Sequence, residues 1–126
     1  MTSPVPGAIL QRDGKGYAIM THIPAGMAKP EDLITIAGIV QKYQIPVLTI
    51  TSGQRIILAG IAEKDVSKVV ADLGPLARPE TGPGVKFVQA CLGTEMCLYG
   101  SQDSIALAGE IEKRLYHKDF PAKVKI

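Results

Sequence analysis

Val47-Leu-Thr-Ile-Thr-Ser-Gly-Gln-Arg-Ile-Ile-Leu-Ala-Gly-Ile61 reads as two strands and the turn between them. Val47–Thr51 is rich in β-branched side chains, which suit a pleated surface, and Arg55–Ile61 repeats that character on the far side of Ser52-Gly53. Upstream, Pro46 ends a helical pattern. Lys29-Pro30-Glu31-Asp32 has a proline and two acids suited to a first helical turn. Leu33, Ile36, Ala37, Val40 and Tyr43 then recur at helical spacing, up to about Gln44. Further back, Ala8–Gln11 and Tyr17–His22 flank Arg12-Asp13-Gly14-Lys15-Gly16, where Asp-Gly tolerates the positive backbone dihedrals of a hairpin turn. Downstream, a second helix covers roughly Glu63–Leu73, with Val66, Val69, Val70 and Leu73 inward and Gly74-Pro75 closing it. The order β-β-α-β-β-α predicts an α+β fold, an antiparallel sheet covered on one face by two helices.

Beyond this unit, residues 75–84 form a Pro- and Gly-rich linker without periodicity. Val85–Val88 is a short strand candidate leading to Cys91. A third helix, capped by Asp103 or Ser101, runs to about Leu115 with Ile105, Ala108, Ile111, Glu112 and Leu115 setting its period. After Pro121, Lys123–Ile126 reads as the beginning of a strand.

Composition narrows the function classes. The 126 residues, 46% hydrophobic and 21% charged, suffice for a single small domain with a buried core. With no Trp, two Phe and four Tyr, the chain lacks the aromatics of a base-stacking platform. Its net charge of +2 comes from scattered Lys and Arg, so no nucleic-acid partner is expected. No apolar run is long enough to cross a bilayer, and the N-terminus lacks the features of a secretion signal. A reducing cytoplasmic setting is therefore expected, where a close cysteine pair is more often a metal or redox site than a disulfide.

Both cysteines lie in Cys91-Leu-Gly-Thr-Glu-Met-Cys97. Gly93 lets the backbone turn so that both sulfurs can face one side, and the helix that follows favours negative charge at its start. Spacing alone leaves three readings open, a metal site, two buried hydrophobic thiols, and a thiol pair that oxidises adventitiously. Among other residues, His22 and His117 read as edge residues, Met20, Met27 and Met96 as packing residues, and Asp103 as a helix cap. Arg55 is open between an exposed salt bridge and cofactor binding. Gly14 and Gly16 are not followed by a P-loop Lys-Ser/Thr.

Longer blocks sharpen the reading. Ile50-Thr-Ser-Gly-Gln-Arg-Ile-Ile-Leu-Ala-Gly-Ile61 resembles the T-G-G-Q-R-I-x-L-x-G stretch of the sirohaem-dependent nitrite and sulfite reductases. Cys91-Leu-Gly-Thr-Glu-Met-Cys-Leu-Tyr-Gly-Ser-Gln-Asp-Ser104 resembles that family's C-x-G-x-x-x-C-R-x-G-x-Q-D-S. Phe120-Pro-Ala-Lys-Val-Lys-Ile126 resembles the lead-in to its second cysteine motif, C-x-x-x-C. The blocks occur in the family's order and spacing, from about Gly7 to the last residue, and are most similar to the assimilatory nitrite reductase segment.

The resemblance implies a ferredoxin-like half-domain over 8–74, the linker 75–84, and over 85–126 the N-terminal part of an α/β domain for a 4Fe–4S cluster bridged to sirohaem. Cys91 and Cys97 would be the first two cluster ligands. Thr51, Ser52, Gly53, Gln54 and Arg55 would line the sirohaem pocket, and Arg55 and Lys86 would neutralise its carboxylates or a bound anion. The implied chemistry is multi-electron reduction of sulfite or nitrite, with an electron-donor protein or domain as partner.

The chain also departs from the pattern. The second cysteine pair is absent from these 126 residues, and Thr49 and Leu98 stand where relatives carry basic residues. Two explanations are open, a piece of a longer reductase or a remnant that has lost the site. The former is favoured because the sequence stops mid-strand after an intact lead-in. By itself this stretch is not expected to turn over substrate. The alternative function is a non-catalytic ferredoxin-like binding or assembly domain.

Overall fold

A computed structural model describes residues 5–77, 84–85, 87–116 and 118–126. The chain divides into two compact units, Met1–Ile23 with Ala28–Thr81, and Pro24–Met27 with Gly82–Ile126.

The first unit holds strands β1 (Ala8–Leu10), β2 (Gly16–Met20), β3 (Val47–Ile50) and β4 (Ile56–Ala62), and helices α1 (Pro30–Lys42) and α2 (Glu63–Leu73). The strands form one antiparallel sheet in the order β1-β2-β4-β3. At the β1–β2 turn, the Asp13 carboxylate accepts hydrogen bonds from the Lys15 and Gly16 N–H groups, at 2.9 Å each. These two bonds, Gly16 first, hold the Asp13 carboxyl below the usual carboxylate range.

Pairing decides which side chains share a face. Ala8 lies opposite Ile19, and Ile19 opposite Leu58. Tyr17 lies opposite Ile61, yet Ala18 lies opposite Ala59, so Gly60 is one extra residue in β4. Its φ of 83° is the left-handed conformation of a glycine bulge. The extra residue brings Ile61, three positions after Leu58, back onto the same face. Leu58, Ile61 and Ile19 are all almost fully buried, together with Ile36, Ile39, Val66, Val69 and Leu73 from the helices. Each large aliphatic side chain buried in this way contributes about 2 kcal/mol.

Helix α1 starts where the sequence suggests. Pro30 takes the first helical position, and the Asp32 carboxylate accepts from the Lys29 N–H at 3.0 Å. It ends with Gln44 at φ 51° and a hydrogen bond from the Ile45 N–H to the Val40 carbonyl. Its buried residues are Ile36 and Ile39, with Val40 and Tyr43 packed at the margin, while Leu33 is 48% exposed. The expected stripe is thus shifted, because the first turn extends past the core. Asp72 on α2 accepts from Lys42 Nζ (2.9 Å) and Tyr43 Oη (2.8 Å), an exposed tie between the two helices.

The second unit contains α3 (Ser104–Leu115) and a small core of Ala25, Val85, Val88 and Ala108. Val85 and Val124 form an isolated parallel bridge, and the Gln89 N–H donates to the Ile126 carbonyl at 2.8 Å. The two strand candidates of this region therefore run alongside each other without becoming regular strands among the described residues. No helix among the described residues is long and apolar enough to cross a membrane.

A Cβ at position 60 would lie 2.4 Å from Pro46 Cγ, in addition to the left-handed strain. Gly60→Ala is expected to lower the stability of the first unit by about 3 kcal/mol in urea unfolding. A change within 0.5 kcal/mol (roughly the size of neutral surface changes) would contradict this account of the bulge.

Candidate functional site

Two groups of side chains carry the candidate chemistry, one in each unit. The first is the turn that joins β3 to β4. Its ends are clipped by the Thr51 N–H donating to the Arg55 carbonyl at 2.8 Å and the Gln54 N–H donating to the Thr51 carbonyl at 3.1 Å. Gln54 adopts φ 56°, a left-handed conformation that costs a non-glycine residue about 1 kcal/mol. Strain of this kind persists where surrounding structure enforces it. Here the strand after the turn is anchored by Thr21, fully buried, whose Oγ1 donates to the Ile56 carbonyl (2.9 Å) and accepts from the Ile56 N–H (3.2 Å).

Within this turn Ser52 is exposed, Gly53 is buried and Gln54 is half-buried. Arg55 is only 7% exposed, so it is not an exposed salt-bridging residue. The Thr51 Oγ1 is buried and has no hydrogen-bond partner among the described residues. A hydroxyl in that state costs roughly 1–3 kcal/mol. A turn with a buried cation and a spare buried donor is suited to an anionic group.

The second group is the cysteine loop. A short 3₁₀ turn at Gly93–Glu95 lies between the two cysteines, and both thiols are free and exposed. Exposure removes the reading of two buried hydrophobic thiols. The Thr94 N–H donates to the Gln102 carbonyl at 3.0 Å, and the Cys97 N–H to the Gly93 carbonyl at 2.8 Å, so the loop folds back on the segment entering α3. Two glycines make that closeness possible. A Cβ on Gly93 would lie 2.6 Å from the Gln102 carbonyl oxygen, and one on Gly100 would lie 2.5 Å from the Gly93 carbonyl carbon. Gly93 also adopts φ 67°.

Asp103 caps α3 by accepting from the Ala106 N–H at 3.1 Å. Cys91 Sγ donates to Ser104 Oγ at 3.3 Å. The Ser104 hydroxyl, and after it the Gly93 backbone, hold the Cys91 thiol below its ordinary pKa. Around the cysteines, Leu92 and Met96 are 49% and 67% exposed, and Leu98 and Tyr99 are each 91% exposed. Met96 and Met27 are thus surface residues rather than packing residues, whereas Met20 is half-buried. His22 is half-buried at the sheet margin. Lys86 and His117 lie outside the described residues. Among the described residues no group of three or more His, Cys, Asp or Glu side chains is placed to hold a metal ion.

Sequence reasoning singled out both segments but not Ser104 as a partner of Cys91. The only available signal was the consecutive pair Asp103-Ser104, two residues able to cap a helix that needs one cap.

Two site predictions follow from this geometry. Thr51→Val, which removes the partnerless hydroxyl, is expected to raise stability by about 1 kcal/mol in thermal or urea unfolding; a loss of stability would mean the hydroxyl serves the fold. Gly93→Ala is expected to speed amide exchange over residues 91–104 roughly tenfold, with the sheet of the first unit unaffected. Unchanged exchange in the loop would refute the glycine packing.

Comparison with known proteins adds independent findings. Residues 9–76 match the family model of the nitrite/sulfite reductase ferredoxin-like half domain. An assimilatory-type sulfite reductase of Nitratidesulfovibrio vulgaris is 40% identical over 99% of this chain, which spans 57% of that relative. A nitrite reductase (NAD(P)H) of Bacillus subtilis is 37% identical over 94% of this chain, which spans 15% of it. The Mycobacterium tuberculosis NirA structure superposes with a TM-score of 0.71 at 19% identity, covering 99% of this chain and 26% of that one. A dissimilatory sulfite reductase I structure gives 0.71 at 15% identity, with 87% and 27% covered. At these identities the two structures establish the likeness of fold.

Proposed function

The chain belongs to the family of the nitrite/sulfite reductase ferredoxin-like half domain, and from that membership we propose that it is the N-terminal portion of a sirohaem and iron–sulfur enzyme that reduces sulfite or nitrite. The observation that carries this reading is the pair of free, exposed thiols on a loop braced by Gly93 and Gly100. Two thiolates are half the donors of a 4Fe–4S cluster, and the donor type is right for iron and sulfide.

The residues of the turn fit the other cofactor. Sirohaem is rich in carboxylates, and the turn offers a buried guanidinium at Arg55 and the spare hydroxyl of Thr51. In the proposed site Arg55 and Thr51 bind and orient those carboxylates, while Ser52, Gly53 and Gln54 shape the wall around them. By its place in the sequence Lys86 supplies a further cation. Cys91 and Cys97, both exposed, would hold two irons of the cluster. When bound, the cluster supplies electrons and the haem iron supplies the place where the oxyanion is reduced. The partners are then a small inorganic oxyanion and an electron-donor protein or domain. Free exposed thiols suit a reducing cytoplasm. The divisions we propose are a half-domain over 8–74, a linker over 75–84 and the start of the cluster domain over 85–126.

A second reading, a non-catalytic binding or assembly domain, draws on one feature. Leu98 is 91% exposed beside Cys97, where the family resemblance implies a basic residue.

Production of the full-length protein with a supply of iron and sirohaem separates the two. The reductase reading expects a coloured protein containing iron and acid-labile sulfide that oxidises reduced methyl viologen when sulfite or nitrite is added. Cys91→Ser and Cys97→Ser are expected to abolish iron binding while leaving the far-UV circular dichroism unchanged. A colourless wild-type protein without iron, in which both serine variants keep the same stability and partners, would overturn the reductase reading in favour of the second.

A further inference from the structure

The cysteine loop has one polar side-chain neighbour whose role is not explained by folding. Ser104 is the first residue of α3, a position where serine ordinarily serves as or beside a cap. Here Asp103 provides the cap through its bond to the Ala106 N–H. The Ser104 hydroxyl is thereby released from capping, and it lies 3.3 Å from Cys91 Sγ. Its own position is tightly fixed. Its N–H donates to the Gln102 carbonyl at 3.0 Å. Gly93 is pressed against it, since a Cβ there would lie 2.7 Å from the Ser104 nitrogen and 3.3 Å from its Oγ.

We propose that Ser104 is a positioning residue for Cys91: its hydroxyl fixes the direction of the Cys91 sulfur in the metal-free loop and donates a hydrogen bond to that sulfur once Cys91 ligates iron. This rests on the reading of Cys91 and Cys97 as thiolate ligands given under Proposed function. A serine hydroxyl can do both, because it accepts through its lone pairs from S–H and, after rotation, donates to a thiolate. Orienting one thiol of the pair in advance reduces the conformational freedom lost when both engage the same centre. A hydrogen bond to a ligand sulfur stabilises the more negative, reduced cluster and so raises its reduction potential.

Two measurements test this. In the full-length protein reconstituted with iron and sulfide, Ser104→Ala is expected to shift the one-electron equilibrium roughly tenfold toward the oxidised cluster, a fall of about 59 mV in midpoint potential. Ser104→Thr, which keeps the hydroxyl, is expected to restore the wild-type midpoint, whereas Ser104→Val, of nearly the same shape, is not. An unchanged midpoint in both hydroxyl-free variants overturns the proposal.

The second measurement needs no iron and uses phenylarsine oxide, a trivalent arsenical that bridges two thiols. Its capture by the metal-free protein is expected to weaken about tenfold in Ser104→Ala and in Ser104→Val, but not in Ser104→Thr or in the control Ser101→Ala. Equal capture by all variants overturns the proposal. If the wild-type protein takes up no cluster, the cofactor reading fails by itself and the arsenical result alone decides the role of Ser104. The Thr and Val pair keeps that decision possible even if alanine frays the start of the helix.

Discussion

The pairing of β2 with β4 is the constraint on which the first unit depends. It joins Ile19 to Leu58 across the middle of the sheet, and these side chains meet both helices in one core. Alternation along β4 would send Ile61 to the opposite face from Leu58. The bulge at Gly60 reverses that and allows both to be buried. The bulged residue keeps its N–H satisfied by donating to Gln11 Oε1 at 2.9 Å. An irregularity that would otherwise weaken the ladder is thus tied to the hairpin that begins the chain.

The same register reaches the candidate turn. Thr21, at the end of β2, holds Ile56 through two hydrogen bonds, so the residue before it, Arg55, leaves the sheet at a fixed point. A cation can be kept buried there because the hairpin on which it sits cannot slide without exposing Leu58 and Ile61. The left-handed Gln54 and the partnerless Thr51 hydroxyl are both unfavourable taken singly. Both lie next to a buried arginine on a rigid strand pair, so their cost is carried by the surrounding sheet.

The cysteine loop is braced by different means. Among the described residues, the buried core of its unit is the small cluster of Ala25, Val85, Val88 and Ala108. The shape of the loop comes from backbone packed on backbone at Gly93 and Gly100, from the hydrogen bond between Thr94 and Gln102, and from the cap at Asp103. These contacts fix the backbone while leaving the thiols and the neighbouring Leu98 and Tyr99 side chains open to solvent. Precision is thus obtained from glycine rather than from burial.

The element order, the four strands, the three helices and both candidate segments were legible in the sequence, because alternation, helical spacing, capping residues and Gly/Pro punctuation are local signals that neighbours in the chain carry together. The blocks around Arg55 and Cys91 were legible as well, since a turn and a glycine-bearing loop declare themselves in their residue types. Tertiary structure decided the rest. It chose Asp103 over Ser101 as the cap, turned Ile39 inward while leaving Leu33 at the surface, and, among the described residues, joined Val124 to Val85 by an isolated bridge instead of a regular strand. It also buried Arg55, stranded the Thr51 hydroxyl and brought Ser104 to Cys91 across thirteen positions of sequence. Burial and partnership depend on which distant backbone arrives alongside a residue, and no local pattern encodes that arrival.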